Sequence, residues 1–297
     1  MPASTPHIYT LTGNLLAERT LEFSRWSPGK TQRASAESFQ VGGKGINVSK
    51  MLTRLGVANT ALCFTGGAPG AECEAWLRKN NFNFHAFDTA RPTRTGTVVR
   101  APGQPETTFL GPDVIPSRAA ITACADFLDA QPDQNLLAIC GSLPGWDTAD
   151  FDPLRAAITR WIERGTVAVD TYGPPLAWFA QKPVALVKIN ATEFRTLHDA
   201  LQPLPKSLAE MTARSPARAW IVTDGPQPVW SATKTDAPAS ITPPAIKEVS
   251  ATGSGDVLFA SVLRSLFLDR VSLRDALATA LPLAAANAAH PAIAEFP

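Results

Sequence analysis

The sequence predicts an α/β fold in three layers, with helices on both faces of a mostly parallel central sheet and a small β lid. From residue 136 onward, short apolar runs alternate with segments of helical period, as in strand–helix units that feed a parallel sheet. Polar residues collect at the ends of those runs, at Ser142, Asp170, Asn190 and Asp224. Before residue 112 the rhythm breaks, and the irregular strands there suit a lid or subdomain on the sheet.

Taken in order, Ile8–Thr12 reads as the first strand. Leu21–Phe39 is polar and mixed, with Pro28-Gly29 as a turn signal. The Gly-rich segment Val41–Gly45 opens a helix, in which Val48, Met51, Leu52 and Leu55 share one face until Gly56 ends it. Ala61–Thr65 reads as a strand, Ala71–Asn80 as a helix, Thr95–Arg100 as a strand and Ser117–Asp129 as a helix. The regular part follows: strand Leu136–Cys140, helix Pro153–Arg164, strand Val167–Asp170 with a turn and helix, and strand Ala185–Ile189 with a helix from near Thr192. Strand Ala219–Thr223 precedes a hairpin-like stretch, Val229–Thr233. Helices Asp256–Leu268 and Leu273–Ala289 close the chain, the first apolar nearly all round and so expected to be buried. No internal repeat or low-complexity linker appears, so one domain is expected over residues 1–297, its lid drawn from about 8–40 and 91–112.

Hydrophobic residues make up 45% of the 297 and charged residues 18%, enough apolar surface for a sizeable core. Lys and Arg number 27 against 26 Asp and Glu, a net charge of +1. So balanced a chain lacks the field that holds nucleic acid or an anionic membrane, and neither is expected as a partner. Cys63, Cys73, Cys124 and Cys140 form no C-x-x-C pair, and only four histidines are present, which disfavours a structural zinc site and suits free thiols in a reducing compartment. The N-terminus lacks the pattern of a signal peptide, and the longest apolar stretch, near Val257–Leu268, is too short to span a bilayer, so a cytoplasmic location is expected.

Four segments carry candidate chemistry. Gly253-Ser254-Gly255-Asp256 stands at the start of the buried helix. The glycines let successive N–H groups point at one spot, where the helix N-terminus adds positive potential and Asp256 offers a proton acceptor. On local chemistry alone it is equally an Asp favoured in a first helical turn. Gly42-Gly43-Lys44-Gly45-Ile46-Asn47 sets a charge and an amide at a helix mouth, without Walker A spacing. Lys188-Ile189-Asn190 with Glu193 supplies a cation, an amide and a carboxylate suited to a nucleotide phosphate and hydrated Mg²⁺, or forms a plain surface turn. Thr223-Asp224-Gly225 sits at a strand end. No G-x-S-x-G elbow occurs, which disfavours a hydrolase triad.

In sequence order these segments resemble the PfkB, or ribokinase-like, carbohydrate kinase family, nearest its 1-phosphofructokinase and tagatose-6-phosphate kinase branch. The N-terminal signature is matched by Gly42–Val48 through Leu55-Gly56, and the C-terminal signature by Gly253–Asp256. Between them, Gly141-Ser142-Leu143-Pro144 resembles S-G-S-L-P, Asp170–Gly173 resembles D-x-S-G, Lys188–Glu193 resembles K-P-N-x-x-E and Thr223–Gly225 resembles S-x-G. The resemblance covers about residues 8–290 and implies a ribokinase-like α/β/α sandwich with a β lid.

The resemblance also implies roles. Asp256 matches the catalytic base, and Gly253, Ser254 and Gly255 match the anion hole. Lys188, Asn190 and Glu193 match groups at the ATP phosphates, with Glu193 reaching Mg²⁺ through water. Thr223, Gly225 and Asn287 match nucleotide contacts. Glu18, Gly43, Lys44, Asn47 and Ser142 fall on the sugar side, and Arg94 matches an Arg that holds an acceptor phosphate. Lys30 and Arg33 fall in a lid segment resembling G-K-x-x-R, and the lid's open edge invites pairing into a homodimer. The sequence departs from the family at Glu18, where Asp is usual, at Gly96, where Asn is usual, at Thr108 and at Ser250. The first three lie on the acceptor side or lid. The implied activity is ATP-dependent phosphorylation of a phosphosugar hydroxyl. Rival readings are a kinase of an unphosphorylated sugar or nucleoside, and a nucleotide- or sugar-binding regulator without turnover.

Overall fold

A nine-stranded sheet runs through the molecule in the order β13-β12-β11-β10-β9-β8-β1-β4-β5. The computed structural model describes residues 6–198 and 202–297. Strands β1 (Ile8–Thr12), β4 (Asn59–Thr65), β5 (Phe84–Asp88), β8 (Leu136–Cys140), β9 (Thr166–Asp170), β10 (Leu186–Asn190) and β11 (Ala219–Thr223) are parallel. β12 (Val229–Thr233) and β13 (Ala239–Ile241) add an antiparallel edge. The interior strands read as apolar runs because both their faces are covered. In β8, Leu137 and Ile139 face one core while Leu136, Ala138 and Cys140 face the other, as the two-residue period of a strand requires.

One helical layer holds α3 (Arg118–Asp129), α4 (Asp152–Arg164), α5 (Pro174–Phe179), α6 (Ala191–Arg195) and α7 (Leu204–Arg214). The other holds α1 (Lys44–Arg54), α8 (Ser254–Leu263) and α9 (Leu273–Ala288). Every residue of α8 from Asp256 to Leu263 is buried, as its all-round apolar sequence requires. The expected helix to Leu268 gives way after Leu263 to a π-type turn over Arg264–Leu268. The four cysteines are free and buried, and no helix among the described residues is long and apolar enough to cross a membrane.

A separate four-stranded sheet forms the lid in the order β3-β2-β6-β7: β3 (Ala36–Gly42), β2 (Leu16–Glu22), β6 (Arg94–Arg100) and β7 (Thr107–Leu110). It rests on α2 (Gly67–Lys79) through a small cluster of Leu15, Ala17, Val41, Ile46, Cys73 and Leu77. The expected lid boundary at residue 8 is corrected to Leu16. Ile8–Thr12 is buried throughout and pairs with β4 and β8 in the main sheet, where an apolar run belongs. Lys30 and Arg33 lie exposed on the loop between β2 and β3.

Candidate active site

The parallel strands end along one edge, and the polar residues singled out by position meet there. The β-strand registers put Cys140 opposite Asp170 and Asn190 opposite Thr223, so Ser142, Asp170, Asn190 and Asp224 follow neighbouring strand ends. Such an edge is where open α/β sheets bind ligands. Helices α1 and α8 start beside it. From α1, the Asn47 amide Nδ2 donates to Asp256 Oδ2 at 2.7 Å. The Lys44 ammonium donates to Asp170 Oδ1 at 2.7 Å. From β10, the Lys188 ammonium donates to the other oxygen, Oδ2, also at 2.7 Å. Asp170 therefore clamps two lysines, with its own side chain 1% exposed.

Charge here is balanced by neighbours instead of water. Burial alone would push the Asp170 carboxyl up, but the Lys188 and Lys44 ammoniums outweigh it and hold the carboxyl below its ordinary value. Burial alone would lower Lys44, yet Asp170 and Asp256 hold it firmly charged. Asp256 has no lysine bonded to it. Burial, reinforced by the Asp170 charge, pushes its carboxyl up to about 6 against the pull of Lys44, Lys188 and Asn47. A carboxyl so placed accepts protons close to neutral pH.

The loop before α8 is shaped for an anion. Gly253 has φ of 76°, a left-handed conformation costly for other residues, and a Cβ there would strike Ile293 at 2.6 Å. Gly255 leaves space for Lys188, whose Nζ would lie 2.7 Å from an added Cβ. The Ser254 amide is turned back onto Ala251 O, and the Asp256 amide onto Gly253 O. Among the described residues the Gly253 and Gly255 amides make no such bond, so they and the N-terminal end of α8 are the groups open to an incoming anion. Asn287 is 1% exposed and braces this loop. Its Nδ2 donates to Thr252 O at 3.0 Å and to Ser254 Oγ at 3.1 Å, while its Oδ1 accepts from the Ala294 amide. Both ends of its amide are thus engaged in holding the loop.

Asn190 and Glu193 form a reciprocal cap on α6. The Asn190 side chain accepts from the Glu193 amide, and Glu193 Oε2 accepts from the Asn190 amide, each at 2.8 Å. Glu193 Oε1 has no hydrogen bond among the described residues, and the carboxylate is close enough that its charge helps hold Lys44 protonated. Among the described residues no cluster of His, Cys, Asp and Glu could cage a metal. A single free carboxylate oxygen fits Mg²⁺ carried on phosphates and water, which is how this ion is commonly held. Thr223 is half-buried at the end of β11 and Gly225 lies open just beyond it.

On the side expected for the acceptor, the polar groups engage one another. The Arg94 guanidinium is half-buried, its Nη1 donating to Asp113 Oδ1 at 3.0 Å and its Nη2 to Asn14 O at 3.3 Å. Asn14 Nδ2 reaches both Asp113 Oδ1, at 2.7 Å, and Ser142 Oγ, at 3.0 Å. Glu18 stays on the lid, bonded to the Gln40 amide, and burial pushes its carboxyl above the ordinary value. Gly96 is packed so tightly that a Cβ would meet Leu16 at 3.0 Å and Leu110 at 3.2 Å. Asn14 and Asp113 are residues here that sequence reasoning did not single out, while Asp170 was singled out by position without a role. A buried charge at a strand end marks Asp170, whereas Asp113 lies in an exposed loop without periodicity or motif.

The pfkB family carbohydrate kinase model matches residues 13–295. A 1-phosphofructokinase of Xanthomonas campestris pv. campestris is 29% identical, over 92% of this chain and 89% of the relative. An ATP-dependent 6-phosphofructokinase isozyme 2 of Mycobacterium tuberculosis is 29% identical, over 86% of this chain and 77% of the relative. In fold, phosphofructokinase-2 from Escherichia coli, solved with substrates and products, superposes with a TM-score of 0.88 at 23% identity, covering 98% of this chain and 95% of that one. Ribokinase from Thermotoga maritima superposes with a TM-score of 0.72 at 15% identity, over 99% and 96%. Motif order, sheet topology and the family match over nearly the whole length agree, and the chain belongs to the pfkB family of carbohydrate kinases.

Proposed function

We propose that this chain transfers the γ-phosphoryl group of ATP to a hydroxyl of a phosphosugar of the fructose 1-phosphate, fructose 6-phosphate or tagatose 6-phosphate class. The observation that carries the proposal is the buried Asp256 carboxylate, held by Asn47 beside the free amides of Gly253 and Gly255. Asp256 takes the proton of the attacking hydroxyl as its oxygen bonds to phosphorus, and ADP leaves with the former bridging oxygen. The Gly253 and Gly255 amides, with Lys188 behind them, stabilise charge on the equatorial oxygens. Lys44 and Asn47 orient the acceptor side, with Ser142 at the sugar and Arg94 and Asn14 at its phosphate. Asn190, Thr223 and Gly225 line the nucleotide side. Glu193 would hold Mg²⁺ through water, and the ion would supply charge neutralisation at the nucleotide phosphates.

The sugar-phosphate relatives support this acceptor class by their names. A second reading, an unphosphorylated sugar or nucleoside as acceptor, draws on the Asp113 carboxylate against Arg94. We further propose a homodimer through the lid, where Phe109 and Leu110 stand more than half exposed on edge strand β7. Four free thiols suit a reducing compartment such as the cytoplasm.

The test is ADP release from MgATP with fructose 1-phosphate, fructose 6-phosphate, tagatose 6-phosphate, fructose, ribose and a nucleoside. Turnover with a phosphosugar and a raised KM in Arg94→Met would support the reading. Turnover only with an unphosphorylated acceptor, indifferent to Arg94→Met, would replace it with the second one.

A further inference from the structure

The phosphate seat at Arg94 already has an anion in it, and that anion belongs to the chain. Asp113 Oδ1 accepts from both Arg94 Nη1 and Asn14 Nδ2. The carboxylate fits the seat poorly. Arg94 Nε and Asn14 Oδ1 are buried with no hydrogen-bond partner among the described residues. An arginine fork is best filled by an anion that engages its nitrogens in parallel, as a phosphate does. The void beside them, bounded by Gly13, Phe64, Val114 and Pro116, measures about 10 Å³, room for about one water molecule and not for a phosphate.

Asp113 is also free to leave. Its segment joins β7 to α3 and is fastened at each end, by the Gly111 amide to Thr95 O and by the Ser117 amide to Thr89 Oγ1, both at 2.8 Å. Between those points the Asp113 side chain is 59% exposed and, among the described residues, bonds Arg94 and Asn14 alone.

We propose that Asp113 is a specificity-determining residue that competes with the acceptor's phosphate for Arg94 and Asn14, so that a phosphosugar binds by displacing it. The proposal rests on the phosphosugar reading above. Displacement exchanges one anion for another of higher charge and better fit. Acceptors without a phosphate gain nothing from the exchange and leave Asp113 in place. Asp113 thereby weakens binding of every phosphosugar and sets the threshold of charge an acceptor must bring. A merely aligning Asp113 would act with the opposite sign, since its loss would disorder Arg94 and weaken binding.

Calorimetric titration of fructose 1-phosphate, fructose 6-phosphate and tagatose 6-phosphate into wild type, Asp113→Asn, Arg94→Met and the double variant decides between them. Coupling between contacting charged residues makes the expected gain in Asp113→Asn about tenfold tighter binding of the accepted phosphosugar. KM should fall accordingly with kcat little changed, and the gain should vanish in the Arg94→Met background. Unchanged or weaker binding in Asp113→Asn, with wild type binding a phosphosugar, would overturn the competition while leaving the kinase reading intact. Binding of no phosphosugar by wild type or Asp113→Asn, in protein that binds MgATP, would overturn the phosphosugar reading and this proposal with it.

Discussion

A carboxylic acid with its pKa pushed up to about 6 is a poor surface charge and a good proton acceptor. As a base Asp256 must be ionised, so activity should be lost as pH falls through its folded-state value. We expect kcat/KM to drop about tenfold per pH unit below about 6, since this parameter reports the free enzyme. Asp256→Asn should keep both substrates bound and lose about 10²–10⁴-fold in turnover. The stability effect has the other sign. Because folding raises this carboxyl's pKa, ionising it opposes folding; that penalty grows as pH rises above the ordinary aspartate range and is complete above about 6. Asp256→Asn should therefore melt at the same temperature as wild type or higher at pH 8. A variant that melts lower and turns over normally would remove Asp256 from the reaction.

At the scale of elements, α8 and the loop before it act as one piece with β10, because Gly255 and Lys188 occupy adjoining space. Gly255→Ala would push a methyl toward an ammonium that Asp170 holds in place. Alanine keeps the amide N–H, so the effect comes from displacing the loop or Lys188; outright loss of an oxyanion-type donor costs about 10²–10³-fold in kcat, and we expect a loss up to that size with little change in acceptor KM. Steady-state kinetics check it; an unchanged kcat would show that the loop adjusts freely.

What the sequence disclosed of these elements follows from burial. β1, β8, β11 and β12 match their apolar runs residue for residue. Lid strand β2 passed unread because Glu18, Arg19 and Glu22 interrupt it, as a sheet with a solvent face allows. β3 is exposed over its first residues, and β13 spans only three. Helix α7, Leu204–Arg214, also went unread, although Leu208 and Met211 bury the expected stripe. In the candidate site, Gly253–Asp256 and Lys44–Asn47 were legible because each sets glycine and a charge at fixed spacing at a helix start. The Asp170 clamp and the Asp113 contact were not, because each joins segments far apart in the chain, Asp113 to Asn14 across 99 positions.

At the scale of the molecule, a charged bridge joins the lid to the loop before α8. Arg100 Nε donates to Glu106 Oε2 at 2.7 Å, and Arg100 Nη2 donates to Pro291 O at 2.9 Å. Glu106 Oε1 in turn accepts from Thr252 Oγ1 at 3.5 Å, just before the Gly253–Asp256 segment. A cavity of about 450 Å³ lies between lid and body here, its walls including Glu22, Arg100, Glu106, Val249, Ser250 and Pro291. The proposed acceptor groups on β2 and β6 and the proposed base on α8 therefore stand on separate bodies, and this bridge is one of the contacts fixing their separation. A half-exposed ion pair contributes about 1 kcal/mol or less to stability, so Arg100→Met should barely move the melting temperature. A misplacement of about 1 Å between reacting groups can cost about 10²-fold in rate, so the same variant should lose activity well beyond what its stability suggests. Thermal melts and steady-state kinetics on one preparation separate the two. A lower melting temperature with unchanged kcat/KM would make the bridge a fold contact only, and the lid's registration with α8 would then rest on the α2 cluster beneath it.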